Sequence, residues 1–241
     1  MENPKIIEKQ ESNDIKNKAL GNENLLTRSR FKSVYKKWRH ALLLLYIPLH
    51  VILFFHIEGI ITTEYFVMYA PLDDLIPFAE VFIIPYVLWY PAMIGLGVYL
   101  MIVDVPVYIR YMLFIILGFF ISIVICSIFP NGQDLRPTEF ARDNVFTNIV
   151  RGLYLTDTNT NVFPSMHVVG SIAVAVGVFK CKKLSNIYLR IFTIILTVLI
   201  CAATVFLKQH SILDVYGGVA LSVLLYWILF SKKRLKQSNT T

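Results

Sequence analysis

His210 and Asp214 lie four residues apart, and His167 closes the run Pro164-Ser165-Met166-His167. Each set stands where a polar loop turns into a long apolar stretch. A spacing of i, i+4 puts two side chains on one helix face, so the Asp214 carboxylate would orient the His210 imidazole. Pro and Ser at a helix start leave backbone N–H groups aimed beyond the helix, a cradle for an anion such as phosphate. Cleaving a phosphate ester through an imidazole takes a neutral ring nitrogen to attack phosphorus and a carboxylate to hold the other nitrogen. It also takes an acid for the leaving alcohol and donors for the phosphoryl oxygens. The residues on offer are His210 as nucleophile, Asp214 as its orienter and His167 as general acid. Arg136, Lys208 and the amides of Ser165–His167 would form the phosphate clamp.

The elements that must position these residues are membrane helices. Of 241 residues 56% are hydrophobic, and the mean hydropathy is +0.60, against about 45 to 50% apolar in soluble domains. Because irregular backbone and open sheet edges cannot face lipid, an all-α polytopic bundle is expected. Six apolar stretches of spanning length fall near 41–57, 81–103, 108–130, 164–180, 187–207 and 212–230. They divide the chain into a polar tail over 1–39, a six-span catalytic domain over 40–231 and a short basic tail over 232–241. Pro85 and Pro91 predict a bend or an early start in the second stretch. Trp89, Tyr90, Tyr108, Tyr111, Tyr226 and Trp227 are aromatics of the kind that settle at interfaces or pack between helices.

Charge sets the orientation. Nineteen Lys and Arg lie in the two tails and in the turns after the second and fourth stretches, against four in the other loops. The positive-inside bias then makes both termini cytoplasmic. The 131–163 loop, with Arg136, Arg142, Arg151, Asp157, Asn159 and Asn161, faces outward together with His167 and His210. The net charge of +7 is explained by this orientation, and no nucleic-acid partner is expected. The first apolar stretch lacks a small-residue cleavage site, so no signal peptide is expected, and a bacterial cytoplasmic membrane is the expected location. The three cysteines show neither a disulfide framework nor a zinc spacing. No metal or cofactor is expected, and oligomeric state is open.

These residues resemble the phosphatidic acid phosphatase type 2 superfamily over roughly 41–230. Its P-S-x-H motif is similar to Pro164-Ser165-Met166-His167, its H-x-x-x-D to His210–Asp214, and the R-P ending its first motif to Arg136-Pro137. The resemblance implies His210 as nucleophile, Asp214 as its partner, His167 as leaving-group acid, and Arg136 and Ser165 as phosphate contacts. The substrate it implies is a phosphorylated lipid in the bilayer. Two positions depart from the pattern. The Lys that opens the first motif is Phe129 here, and the Ser-Arg that opens the third is Ala203-Thr204; Lys208 would supply one missing charge. The run Asn161-x-Phe-Pro-Ser-x-His with Lys-Gln-His-x-x-x-Asp resembles the branch related to inositolphosphotransferases and sphingolipid synthases. Headgroup transfer to an alcohol therefore stands beside hydrolysis. A carrier or channel is the reading from another class, opposed by polar residues at helix ends rather than at mid-membrane.

The remaining features read as structural. His50 and His56 are six residues apart, on different helix faces, and read as packing or interface residues. Asp73, Asp74 and Glu80 read as a solvated acidic loop. Gly170, Gly217 and Gly218 read as close helix contacts.

Overall fold

The computed structural model describes residues 38–60 and 64–231; most of the two polar tails lies outside them. A short N-terminal unit ends at Leu42, and a second unit from Leu43 onward contains the bundle.

A 3-10 segment, Arg39–Leu45, leads into α1 (Tyr46–Ile60). After β1 (Phe66–Val67) and the short α2 (Pro71–Leu75), a 3-10 turn at Glu80–Phe82 opens α3 (Ile83–Val103). Then come α4 (Val105–Ile128), β2 (Asn131–Gly132), α5 (Val145–Thr156), α6 (Met166–Lys180), α7 (Ile187–Phe206) and α8 (Ile212–Phe230). The expected all-α class is what is seen, apart from one two-residue parallel pair, β1 on β2. Five helical segments are long and apolar enough to cross a membrane, as expected of an integral membrane protein: 39–60, 80–103, 105–128, 187–206 and 212–230. The fourth expected span is the shorter apolar helix α6, with 15 residues. Pro85 sits in the first turn of α3, where its missing N–H costs nothing, and the helix continues through Pro91.

The short α6 is a central element. Val169, Ala173 and Val174 are buried against Phe114, Ile115 and Phe119 of α4 and Leu225 of α8. Small residues make this approach possible. A Cβ on Gly170 would lie 2.7 Å from the Trp89 indole nitrogen, and one on Gly218 would lie 2.8 Å from Val168 Cβ. Gly170 and Gly218 make the close helix contacts expected from sequence, whereas Gly217 packs on the ring of Phe163 in the loop before α6. Without a hydrophobic drive between helices in lipid, such close contact supplies the attraction. Two hydroxyls inside the bundle bond back to their own helix, Ser122 to the Gly118 carbonyl at 3.0 Å and Ser222 to that of Gly218 at 2.7 Å, which satisfies these donors in the apolar interior.

Trp89, Tyr108 and Tyr111 pack between helices, while Tyr90, Tyr226 and Trp227 are exposed. His50 packs among Tyr46, Phe54 and Phe119, the structural role expected for it. The longest of the elements not expected is α5, which lies inside the 131–163 loop. Phe146, Ile149, Val150, Leu153 and Tyr154 follow the helical period, and Asn144 caps the start by accepting from the Thr147 amide at 3.0 Å.

Candidate active site

The helices alternate in direction, so the end of α1, the starts of α3, α6 and α8, and the ends of α4 and α7 share one end of the bundle. The small parallel pair ties two of its loops together, with the Phe66 amide on the Pro130 carbonyl at 2.9 Å and the Met68 amide on that of Gly132 at 2.7 Å. Between these elements lies a small cavity of about 40 Å³ lined by Asp157, Thr158, Asn161, His167, Gln209 and His210 among others. That is room for a few waters or a compact polar group.

The two expected histidines meet there, with ring centroids 5.9 Å apart. His210 Nδ1 lies 3.3 Å from Asp214 Oδ2, the i, i+4 pairing read from sequence, which leaves Nε2 as the free ring nitrogen. Asp214 is fully buried, and the same oxygen accepts from the Ser211 amide at 2.8 Å. The His167 ring is held by α3, between Tyr86 at 4.4 Å and Trp89 at 4.5 Å. Gly170, one turn further along α6, is what lets Trp89 come this close. His167 Nε2 is buried with no protein partner.

Ser165 is fully buried at the start of α6, its hydroxyl unpartnered. Its amide does not join an anion cradle as expected, because it donates to the Asp214 carbonyl at 3.1 Å. That bond stitches the two histidine-bearing helices together. Arg136 folds over the Tyr154 ring at 4.4 Å and donates to the carbonyls of Asp157 (2.8 Å) and Thr158 (2.6 Å) and to Gln209 Oε1 (2.5 Å). Its Nε is buried and unpartnered. Arg136 thus braces the cavity wall, and burial pulls its pKa down while Asp157 opposes that shift.

Lys208 is placed differently from the expected clamp. Its ammonium donates to the Asp73 carbonyl at 2.7 Å, directed at the acidic loop; Lys208, Arg136 and Ser165 all stand outside the residues that line the cavity. The Lys208 backbone is left-handed, with φ 52°, which turns the chain between α7 and α8; the Gln133 side-chain amide secures that turn by donating to the Lys208 carbonyl at 2.9 Å. The two departures make contacts of their own. Phe129 packs against Phe66 with the rings tilted and their centroids 5.2 Å apart, and the Thr204 hydroxyl donates to the Cys201 carbonyl at 2.8 Å.

The acidic loop is corrected most. Asp73, expected to be solvated, is buried and caps α8, accepting from Ser211 Oγ at 2.6 Å and the Ile212 amide at 2.8 Å. Glu80 is likewise buried and pairs with Arg142 at 2.9 Å. Asp157 faces the cavity, with Oδ2 accepting from Gln209 Nε2 at 3.2 Å and the Tyr86 hydroxyl at 3.3 Å. Burial raises its pKa, and Glu58 adds to the rise. Glu58, missed from sequence, is a buried carboxylate on α1 that accepts from Thr158 Oγ1 at 2.7 Å. The signal was available, since Glu58 is the sole Asp, Glu, Lys or Arg in Tyr46–Ile60. Among the described residues, no group of three or more His, Cys, Asp or Glu is placed to hold a metal ion.

Neither the curated proteins nor the solved structures contain a match to this chain. Residues 132–237, which carry Arg136, Ser165, His167, Lys208, His210 and Asp214, match the family model described as PAP2 superfamily.

Proposed function

We propose that the chain is an integral-membrane phosphatase that hydrolyses a phosphate ester or diphosphate of a lipid through a phosphohistidine on His210. The observation that carries this reading is the opposition of two imidazoles across one small cavity, with a buried carboxylate behind one and an unpartnered nitrogen on the other. Asp214 holds the proton of His210 on Nδ1, so the Nε2 lone pair attacks phosphorus. As the N–P bond forms, the P–O bond to the lipid alcohol breaks. His167, protonated, gives its proton to that leaving oxygen. Neutral His167 then takes a proton from water as the water oxygen displaces His210. The unpartnered Ser165 hydroxyl and Arg136 Nε are the donors that a phosphoryl oxygen would satisfy.

The test is purified protein in detergent with a panel of lipid phosphates, phosphodiesters and polyprenyl diphosphates, tracking free phosphate and new lipid products together. His210→Ala should abolish both turnover and trapped phosphoenzyme. A phosphoenzyme that survives the substitution ends the assignment.

Transfer of a headgroup phosphate to a second alcohol is the other reading, and a cation-poor cavity favours it. A phosphodiester brings one negative charge where a monoester brings up to two, and here Phe129 and Thr204 replace family cations while Lys208 is turned away.

The site end would face away from the cytoplasm of a bacterial cell. Supporting this, Arg110, Lys180, Lys182, Lys183 and Arg190 all lie at the opposite end, whereas Arg142 and Arg151 at the site end are ion-paired with Glu80 and Asp143. An impermeant thiol reagent on intact cells should label a cysteine placed at Glu139 and spare one at Lys182. The reverse pattern inverts the orientation.

A further inference from the structure

Asn161 stands on the cavity wall with two features that the reaction above leaves unused. Its backbone is left-handed, with φ 58°, and its side chain is enclosed, with the residue 7% exposed. The carboxamide nitrogen donates to Thr160 Oγ1 at 3.1 Å and to Glu58 Oε1 at 3.4 Å. A carboxylate offers acceptors only, so Glu58 decides which end of the carboxamide faces it. Oδ1 is thereby turned away from Glu58, and it has no protein partner. Glu58 is itself held, because Thr158 donates to it through both its hydroxyl (2.7 Å) and its amide (3.2 Å).

An acceptor suits neither the phosphoryl oxygens nor an imidazole lone pair. It suits a hydrogen. Water attacking a phosphohistidine carries two, one of which leaves to His167 while the other stays on the oxygen and needs a place to point. An attacking alcohol carries only the hydrogen that His167 removes.

We propose that Asn161 is a catalytic residue that positions the attacking water, that Glu58 of the first membrane helix is the positioning residue behind it, and that the pair biases the phosphoenzyme toward hydrolysis over transfer. This rests on the phosphohistidine reading above. In the step, the water O–P bond forms and the His210 N–P bond breaks, its electron pair returning to Nε2. One proton passes to His167, and the second stays on the oxygen and is donated to Asn161 Oδ1.

The experiment is rapid quench with a ³²P-labelled short-chain phosphatidic acid in micelles, following phosphoenzyme formation and decay separately. Asn161→Gly removes the carboxamide yet suits the left-handed backbone, so it separates the two roles. Formation should stay within about 3-fold of the native rate. Decay should slow about 10²-fold, the scale on which misplacing a reacting group costs rate, so the intermediate accumulates. Added glycerol should discharge the accumulated intermediate and shift product toward the glycerol ester. Glu58→Gln, which lets the carboxamide turn either way, should slow decay in the same sense but less. Native decay in Asn161→Gly would overturn the proposal and leave Asn161 a backbone residue only. Equal slowing of both steps would overturn it too. Native protein that traps no phosphoenzyme overturns the phosphohistidine reading and this inference with it.

Discussion

At one end of the bundle the helices are joined by Asp104 alone and by the short segment between α6 and α7, where Lys182 and Lys183 stand exposed. At the other end the connections from α1 to α3 and from α4 to α6 are long, that from α7 to α8 is short, and Glu58, Asp73, Asp157 and Asp214 are drawn inward. Each is tied to residues far away in sequence: Glu58 to Thr158, Asp73 to Ser211, Asp157 to Tyr86, and the Asp214 carbonyl to Ser165. Lys182 and Lys183 at the first end keep their hydration. Charges at the second end have lost water, and only a dense set of hydrogen bonds offsets that loss. A membrane protein needs little more than short turns to connect helices. An end built around buried carboxylates is therefore the end where the proposed reaction would find its polar groups held in place.

Three substitutions would break or sharpen this contrast. The largest effect belongs to Asp214→Asn, which keeps the shape but loses the charge behind His210. Turnover should fall about 10²- to 10⁴-fold, as for the orienting carboxylate of serine hydrolases, with the melting temperature little changed. Near-native turnover would remove Asp214 from the mechanism.

Asp73→Ala comes next. It takes away both caps on α8 and the bond to the Ala70 amide. Thermal unfolding in detergent should show a loss of about 1–3 kcal/mol from donors left buried and unpaired. Turnover should drop about 10- to 10²-fold as His210 loses its register. Unchanged turnover would mean that α8 holds its start without the acidic loop.

Asp157→Asn is the smallest and has a pH signature. Burial and Glu58 raise the Asp157 pKa in the fold, so this carboxyl stabilises the protein only while protonated, and the contribution disappears as pH rises through its folded value. The Asn variant, always neutral, should therefore be more stable than native at pH 7, by about 1 kcal/mol. The two should converge below about pH 4, where the native carboxyl is protonated in both states. A variant less stable at pH 7 would show that the Asp157 charge is compensated by Arg136 and His210.

The four-residue spacing of His210 and Asp214 and the approximate place of the apolar stretches were legible along the chain, because each depends on neighbours within a turn or two; the fourth stretch proved shorter, a 15-residue helix that starts at Met166 and leaves Pro164 and Ser165 ahead of it. Alternation of the spans then brought His167 and His210 to one end. The helical period of α5 was equally local, and it was overlooked inside a loop read for its polar residues. The partners of those groups were of a different kind. Asp73 lies 138 residues from the hydroxyl it accepts from, and Glu58 lies 100 residues from Thr158. No periodicity links them, and as sequence they look like an ordinary solvated acid and a stray charge in a span. Lys208 looked like a clamp because its charge stands two residues from His210. The left-handed turn at its own backbone and the Asp73 carbonyl within reach decided otherwise. The sequence by itself determined which groups could do chemistry and at which end. Tertiary structure decided which of them face the cavity and which brace it, because a buried polar group goes where its partners are, and those partners come from other helices.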